Sequence, residues 1–171
     1  GGYQANSYIQ KHGFEIVNLR SDESVAFGWV NQGTTYEDER AGGYIWLPQK
    51  GSDGRSLAFY TNLTKVKPGD IIIHYARAAI RSVSEVQEAA VEAPRPRGSS
   101  DGTTGEAGYL VHVSYADLNA PIPLAKIPEG WRLAAGGPFN SVGAVNQGYL
   151  YPVPREFVAQ LAGTFSDRLP D

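Results

Sequence analysis

The sequence predicts an α+β fold, a small mixed β-barrel with short flanking helices. Two stretches carry that prediction. Ile71-Ile-Ile-His-Tyr75 is an apolar strand launched by the tight turn Lys67-Pro-Gly-Asp70, in which Pro68 fixes φ and Gly69 supplies the reversal. Residues 109–115 alternate strictly, Tyr109, Val111, Val113 and Tyr115 against Leu110, His112 and Ser114, which is the period of a half-buried strand. Twenty glycines and eleven prolines in 171 residues cut the remainder into short pieces, and this length suits one domain.

The elements follow in order. Residues 6–12 read as a short helix ending at Gly13, and 14–19 as a strand or extended arm. Residues 24–30 form a strand with Val25, Phe27 and Trp29 on one face, broken by Asn31-Gln-Gly-Thr-Thr. Residues 35–40 make one helical turn capped by Thr35, and Gly42-Gly43 leads into Tyr44-Ile-Trp-Leu-Pro48. After a polar loop, residues 57–63 form a short helix with Leu57, Tyr60 and Leu63 on one face. Residues 79–87 return as the strand after 71–75, so the pair reads as a meander. Residues 94–108, rich in Pro, Arg, Gly, Ser and Thr, read as a long loop. Residues 121–127 are an edge strand or a connection, 130–145 a Gly-rich irregular stretch, and 147–153 the last strand. Pro154 opens a helix at its first position, with Phe157, Val158 and Leu161 inward.

Composition excludes several classes. Apolar runs are only a few residues long, too short for a membrane-spanning helix, and no signal peptide opens the chain. Without cysteine there are no disulfides, thiolate nucleophiles or Cys-based zinc sites, which fits a reducing cytoplasm. Methionine is absent too, so Gly1-Gly2 reads as a cloning scar ahead of part of a longer product. The net charge of −3 argues against a broadly basic nucleic-acid binder. Residues 61–97 differ: Lys65, Lys67, Arg77, Arg81, Arg95 and Arg97 face four acids, giving either a modest basic face or a solvated surface.

The sequence carries no catalytic motif. His12, His74 and His112 lack metal-ligand spacing, and the plain reading of His74 and His112 is a hydrogen-bonded core or rim residue. No G-x-S-x-G, P-loop, G-x-G-x-x-G or H-E-x-x-H motif occurs. Glu37, Asp38 and Glu39 read as a solvated acidic run, because adjacent residues on a turn do not converge on a metal. No catalytic residue, metal or cofactor is expected. The aromatic and amide residues are more distinctive. Trp29 runs into Asn31 and Gln32, Trp46 follows a Gly-Gly break, Tyr75 ends its strand, and Val-Asn-Gln-Gly occurs at both 30–33 and 145–148. These residues make either turn chemistry or a pocket with aromatic walls and amide groups, which suits a flat, polar nucleobase.

Phe27-Gly-Trp-Val-Asn-Gln, Gly43-Tyr-Ile-Trp-Leu-Pro, Phe59-Tyr-Thr-Asn-Leu, Lys67-Pro-Gly-Asp-Ile-Ile-Ile-His-Tyr and Gly148-Tyr-Leu-Tyr-Pro-Val resemble, in this order, the EVE domain. EVE belongs with YTH domains among PUA-like folds and is found at the N-terminus of modification-dependent type IV restriction systems. The resemblance implies a PUA-like barrel over residues 24–171, behind an N-terminal extension at 1–23. It implies a non-catalytic module that flips a modified base of double-stranded DNA into an aromatic cage. The favoured base is 5-methylcytosine or 5-hydroxymethylcytosine, with N6-methyladenine as a further candidate. The module would target a fused nuclease or GTPase effector in antiviral defence. Trp46 falls at a cage-wall position; Trp29, Val30, Asn31, Gln32, His74 and Tyr75 fall at strand ends that line the pocket, and Asn146 joins them from the repeated tetrapeptide. Residues 92–108, where YTH relatives carry a second cage tryptophan, hold no aromatic. The second wall is then Trp29, Tyr75 or another residue, with Trp131 a weaker candidate.

Magnitudes divide the roles. A buried methyl is worth about 0.8 kcal/mol, and stacking about 1–3 kcal/mol for any base. The amides of Asn31 and Asn146 are therefore expected to set specificity and the tryptophans affinity, since an unpaired buried polar group costs about 1–3 kcal/mol. Lys65, Lys67, Arg77, Arg81, Arg95 and Arg97 are the candidate phosphate contacts. Two other readings remain open at this stage: a YTH-like reader of modified RNA, and a small nucleotide-processing enzyme using an acid from 37–39.

Overall fold

The computed structural model describes residues 25–49, 63, 65–96 and 107–170. The expected helix at 6–12, the arm at 14–19, Arg97 and all of the 57–63 helix except buried Leu63 lie outside the described residues. Described strands are β1 (Phe27–Asn31), β2 (Tyr44–Pro48), β3 (Ile71–Ala76), β4 (Ala79–Val86), β5 (Val91–Pro94), β6 (Ala107–Pro123) and β7 (Leu150–Val153). Helices are α1 (Tyr36–Gly42), α2 (Glu129–Ala135) and α3 (Arg155–Thr164). None of these helices is long and apolar enough to cross a membrane.

The strands form one curled, mixed sheet in the order β2-β6-β4-β3-β1-β7, with β5 also paired to β6. β1 and β3 are parallel, Phe27 beside Ile71 and Asn31 beside Tyr75; the other pairings are antiparallel. Leu110 pairs with Trp46 on one edge of β6 and with Val91 on the other.

Both faces of the sheet are covered. Odd-numbered residues of β1 and β3 (Phe27, Trp29, Ile71, Ile73, Tyr75) pack under α3 with Phe157, Leu161 and the loop residue Phe139. Val30 and Ile72 turn the other way, into an inner core with Ile45, Leu47, Val111, Val113 and Tyr149. β3 is buried throughout because it is walled on both faces, which its unbroken apolar run requires. β6 is long enough to serve both cores: Val111 and Val113 face the inner one, Ala116, Leu118 and Ile122 the α3 side.

Several expectations need correction. β6 continues through residues 121–123 instead of ending before an edge strand, and Leu124–Lys126 is a 3-10 turn. The Gly-rich stretch contains α2, opened by Pro128 with Glu129 in its first turn, and half-buried Trp131 packs on the α3-side core. Val91–Pro94, of which only Pro94 falls in the expected loop and the rest carries no assignment, is a short edge strand held by Ala107–Leu110 of β6. Pro154 caps α3 from outside instead of occupying its first position. α1 forms where expected, but the Thr35 side chain makes no cap bond and is engaged elsewhere. Gly43 ends α1 at φ 71°, a left-handed conformation that glycine adopts without Cβ strain.

Candidate functional site

Strand alternation separates the eight candidate pocket residues. Trp29, fully buried, is sent to the α3 side, where it stacks on Tyr75 (ring centroids 5.1 Å apart, 29° between planes) and meets the edge of Phe139 at 5.1 Å. Val30 is a member of the inner core. Asn31, half-buried at the end of β1, donates from Nδ2 to the Asn146 carbonyl at 3.2 Å, and Asn146 donates from its own Nδ2 to the Gly137 carbonyl. The Asn31 amide thus meets the Asn146 backbone, while the Asn146 amide bonds within its own loop, and the 137–146 loop is tied to the end of β1.

Gln32 and His74 lie inside and are committed to one another. Gln32 Oε1 stands 2.7 Å from His74 Nδ1, and His74 Nε2 2.6 Å from Ser84 Oγ. Gln32 Nε2 donates to Tyr115 Oη (2.9 Å), which donates to the Tyr44 carbonyl. Because that carbonyl can only accept, every direction follows. Ser84 donates to His74 Nε2, His74 Nδ1–H to Gln32, Gln32 to Tyr115, and Tyr115 to Tyr44. Burial drives the His74 pKa down to about 3, so its imidazole is neutral, as this chain demands.

The largest departure from the sequence reading is Glu39. Expected on a solvated run, it is 3 % exposed. α1 places Tyr36 and Glu39 one turn apart on its buried face, leaving Glu37 and Asp38 outside; that i, i+3 pairing with an aromatic is the signal available in the sequence. Glu39 Oε1 accepts from the Trp46 backbone N–H (3.0 Å) and from the Tyr149 hydroxyl, while Oε2 contacts the Thr35 hydroxyl. Thr35 also reaches the Gln32 carbonyl at 2.9 Å. One arrangement satisfies all of these at once: Glu39 protonated on Oε2 and donating to Thr35, with Thr35 donating to Gln32. Burial raises the Glu39 pKa to about 7, and burial likewise raises that of Tyr149. Glu39 thereby joins α1, β2 and the residue preceding β7, whose Tyr149 carbonyl accepts from Asn31 N–H.

Trp46 occupies a third place. Its neighbours Ile45 and Leu47 fill the inner core, so its own side chain lies on the opposite face of β2 and β6. The indole Nε1 donates to the Ala93 carbonyl on β5 at 3.0 Å. The ring rests where a Gly108 Cβ would stand, 2.3 Å from Cζ2, so only glycine fits at 108. Over the ring lies the Arg95 guanidinium, 4.0 Å from the centroid.

The candidate phosphate contacts are also dispersed. Exposed Lys65, and Lys67 paired with Asp70 (2.8 Å), lie before β3, whereas Arg77 lies just past its far end, about 17 Å of strand away, and Arg81 lies in β4 beside the last residues of β3. Arg77 pairs with Glu37 at 2.8 Å. Arg81 bonds the Ala76 and Arg77 carbonyls, bracing a hairpin turn in which Arg77 (φ 50°) and Ala78 (φ 60°) are both left-handed. Lys65 instead lines a cleft of about 260 Å³ with Phe27, Asp70, Ile72, Leu150 and Tyr151. Among the described residues no group of His, Asp or Glu is placed to hold a metal.

No protein-family model matches the sequence, and no curated protein does. Solved structures do. The YTH domain of the Zygosaccharomyces rouxii MRB1 protein, in complex with N6-methyladenosine RNA, superposes with a TM-score of 0.53, covering 86% of this chain and 90% of that one at 8% identity. The DUF55 domain of human thymocyte nuclear protein 1 superposes with a TM-score of 0.50, covering 81% and 99% at 16% identity. The human THYN1 protein in complex with 5-methylcytosine-containing DNA gives 0.49, covering 80% and 96% at 15% identity. The curled mixed sheet with its short helices is thus a fold that this chain shares with the YTH domain and the DUF55 domain.

Proposed function

We propose that this domain reads a modified base in nucleic acid and has no chemistry of its own. One observation carries the reading: Trp46 is an indole on the outside of the inner core, fixed in orientation by Ala93 and Gly108, with the planar guanidinium of Arg95 over its ring. Trp29, by contrast, is packed among core aromatics. A base stacking on Trp46 takes the place of the Arg95 guanidinium on the ring, whereas a base stacking on Trp29 needs the core to open. Trp46 is the affinity platform in this reading, and Asn31 with Asn146 remain the proposed specificity residues, tied to it through Tyr149 and Glu39. The EVE/YTH-like fold supports a reader, and the YTH likeness favours RNA with N6-methyladenosine as the second reading. Duplex DNA carrying 5-methylcytosine, 5-hydroxymethylcytosine or N6-methyladenine is the first. Cutting would belong to a separate nuclease or GTPase effector in the same polypeptide or system, with this domain over residues 24–171 supplying the address.

The test is a binding panel at fixed salt: duplexes with each modification or none, and RNA with and without N6-methyladenosine, against the wild type and Trp46→Ala. Preference for one modified probe, weakened roughly ten- to hundredfold by Trp46→Ala with the fold retained, is the expected outcome. A large drop in Tm with unchanged affinity in the folded fraction refutes the platform and makes Trp46 a core residue.

A further inference from the structure

We propose that Arg95 is the second wall of the base site, its guanidinium plane and the Trp46 indole closing on the base from opposite sides. The inference rests on the reading of Trp46 above and names the partner wall that the sequence left open among aromatic residues. The two groups are already in contact: the guanidinium carbon lies over the ring, 4.0 Å from its centroid, one layer of contact, and Trp46 is only 4 % exposed. A base between them needs two layers, about 7–8 Å, so the guanidinium must retreat by roughly one layer.

The two walls differ in where they sit in the sheet. Trp46 sits within β2, its indole bonded to Ala93 and seated on Gly108, its N–H held by Glu39. Arg95 comes just after β5, whose last pairing is Pro94 with Ala107, and its side chain is long and unbranched. The tryptophan is the fixed wall and the arginine the moving one. A guanidinium is flat, delocalised and weakly hydrated, so it stacks on a base much as it stacks on an indole; an ammonium cannot. This gives residues 92–108 a planar wall without an aromatic residue. It also reassigns Arg95, whose charge alone pointed to a phosphate.

Three variants of the full chain separate the roles, each checked first for an unchanged melting transition. Binding is read by fluorescence anisotropy across a salt series, using a duplex with one 5-methylcytosine, its unmodified twin, and an N6-methyladenosine RNA. Arg95→Phe keeps the plane and removes the charge; Arg95→Lys keeps the charge and removes the plane. The wall predicts that Arg95→Phe stays within about threefold of wild type on the preferred modified probe, while Arg95→Lys loses roughly tenfold or more there and keeps the wild-type salt slope. The opposite pattern overturns it: Arg95→Lys like wild type, and Arg95→Phe weakened equally on all probes with the salt slope reduced by about one, is a phosphate contact. Tighter binding by both variants also overturns it, since Arg95 would then be only a plug. Trp46→Ala is the third variant: if it matches wild type on every probe, the base-reading site itself is refuted, separately from any result at Arg95.

Discussion

Replacing Glu39 with glutamine should reshape the pH dependence of stability, and the structure sets both the sign and the size. In the fold the carboxyl titrates near 7, against 4.5 for an unperturbed glutamate. The native state therefore holds a proton that the unfolded chain releases, and stability falls as pH rises from about 4.5 to 7. At about 1.4 kcal/mol per pH unit the loss is on the order of 3 kcal/mol. His74 acts in the opposite sense. Its folded pKa is lowered to about 3 from 6.5, so its contribution is present above about 6.5 and is lost as pH falls towards 3. Between about 4.5 and 6.5 the two slopes oppose each other, and the wild type should show a plateau there. Glutamine copies the protonated acid: its carbonyl accepts from Trp46 N–H and the Tyr149 hydroxyl, and its amide donates to Thr35, which donates to Gln32. In Glu39→Gln the plateau should become a slope that falls with acid from about pH 6.5, and the stability gap to wild type should widen by about 3 kcal/mol between pH 4.5 and 8. Urea denaturation at half-unit pH steps measures both curves. Curves that run parallel from pH 4.5 to 8 would refute the buried proton on Glu39.

Three further outcomes concern the hairpin that joins β3 to β4. Arg81→Ala should lower stability by about 1–2 kcal/mol with little change in the salt slope of DNA binding, because its guanidinium bonds the Ala76 and Arg77 carbonyls. Arg77→Ala, breaking only an exposed pair with Glu37, should leave stability within about 0.5 kcal/mol and lower the salt slope by about one if the guanidinium meets a phosphate; denaturant melts and salt titrations read the two effects. Ala78→Gly should stabilise the protein by up to about 1 kcal/mol, since φ 60° strains alanine and suits glycine; a loss of stability would show that the turn is unstrained.

The sequence exposes those parts of this fold where one periodicity dominates. β3 is legible because both its faces are buried, and β6 because its faces differ. β5 is not, because a four-residue edge strand with Glu92 and Pro94 has no periodicity to show. α2 is masked by Gly130, Gly136 and Gly137, although Pro128-Glu129 signals its start. At the candidate site, residue type was readable but direction was not. Trp29 and Trp46 look alike as strand tryptophans; their cross-strand partners, Ile73 and Tyr151 for one and Leu110 for the other, decide which enters the core. Glu39 escaped because an acidic run reads as solvated unless tertiary partners supply a proton site, and those partners lie in β2 and just before β7. Arg95 escaped because charge suggests phosphate and says nothing about stacking.

β6 also bears on how the domain comes apart. Its first half walls the inner core and its second half the α3 side, within one continuous backbone. Neither hydrophobic cluster can open its β6 wall without loosening the strand that closes the other. The two cores therefore behave as a single cooperative unit, and the amides of β6 that bond to β4 exchange with solvent only when the whole domain unfolds. Fraying is left to the short β5 edge, which pairs with β6 alone over four residues and from which Arg95 emerges; when it frays, the Ala93 carbonyl that holds the Trp46 indole leaves with it.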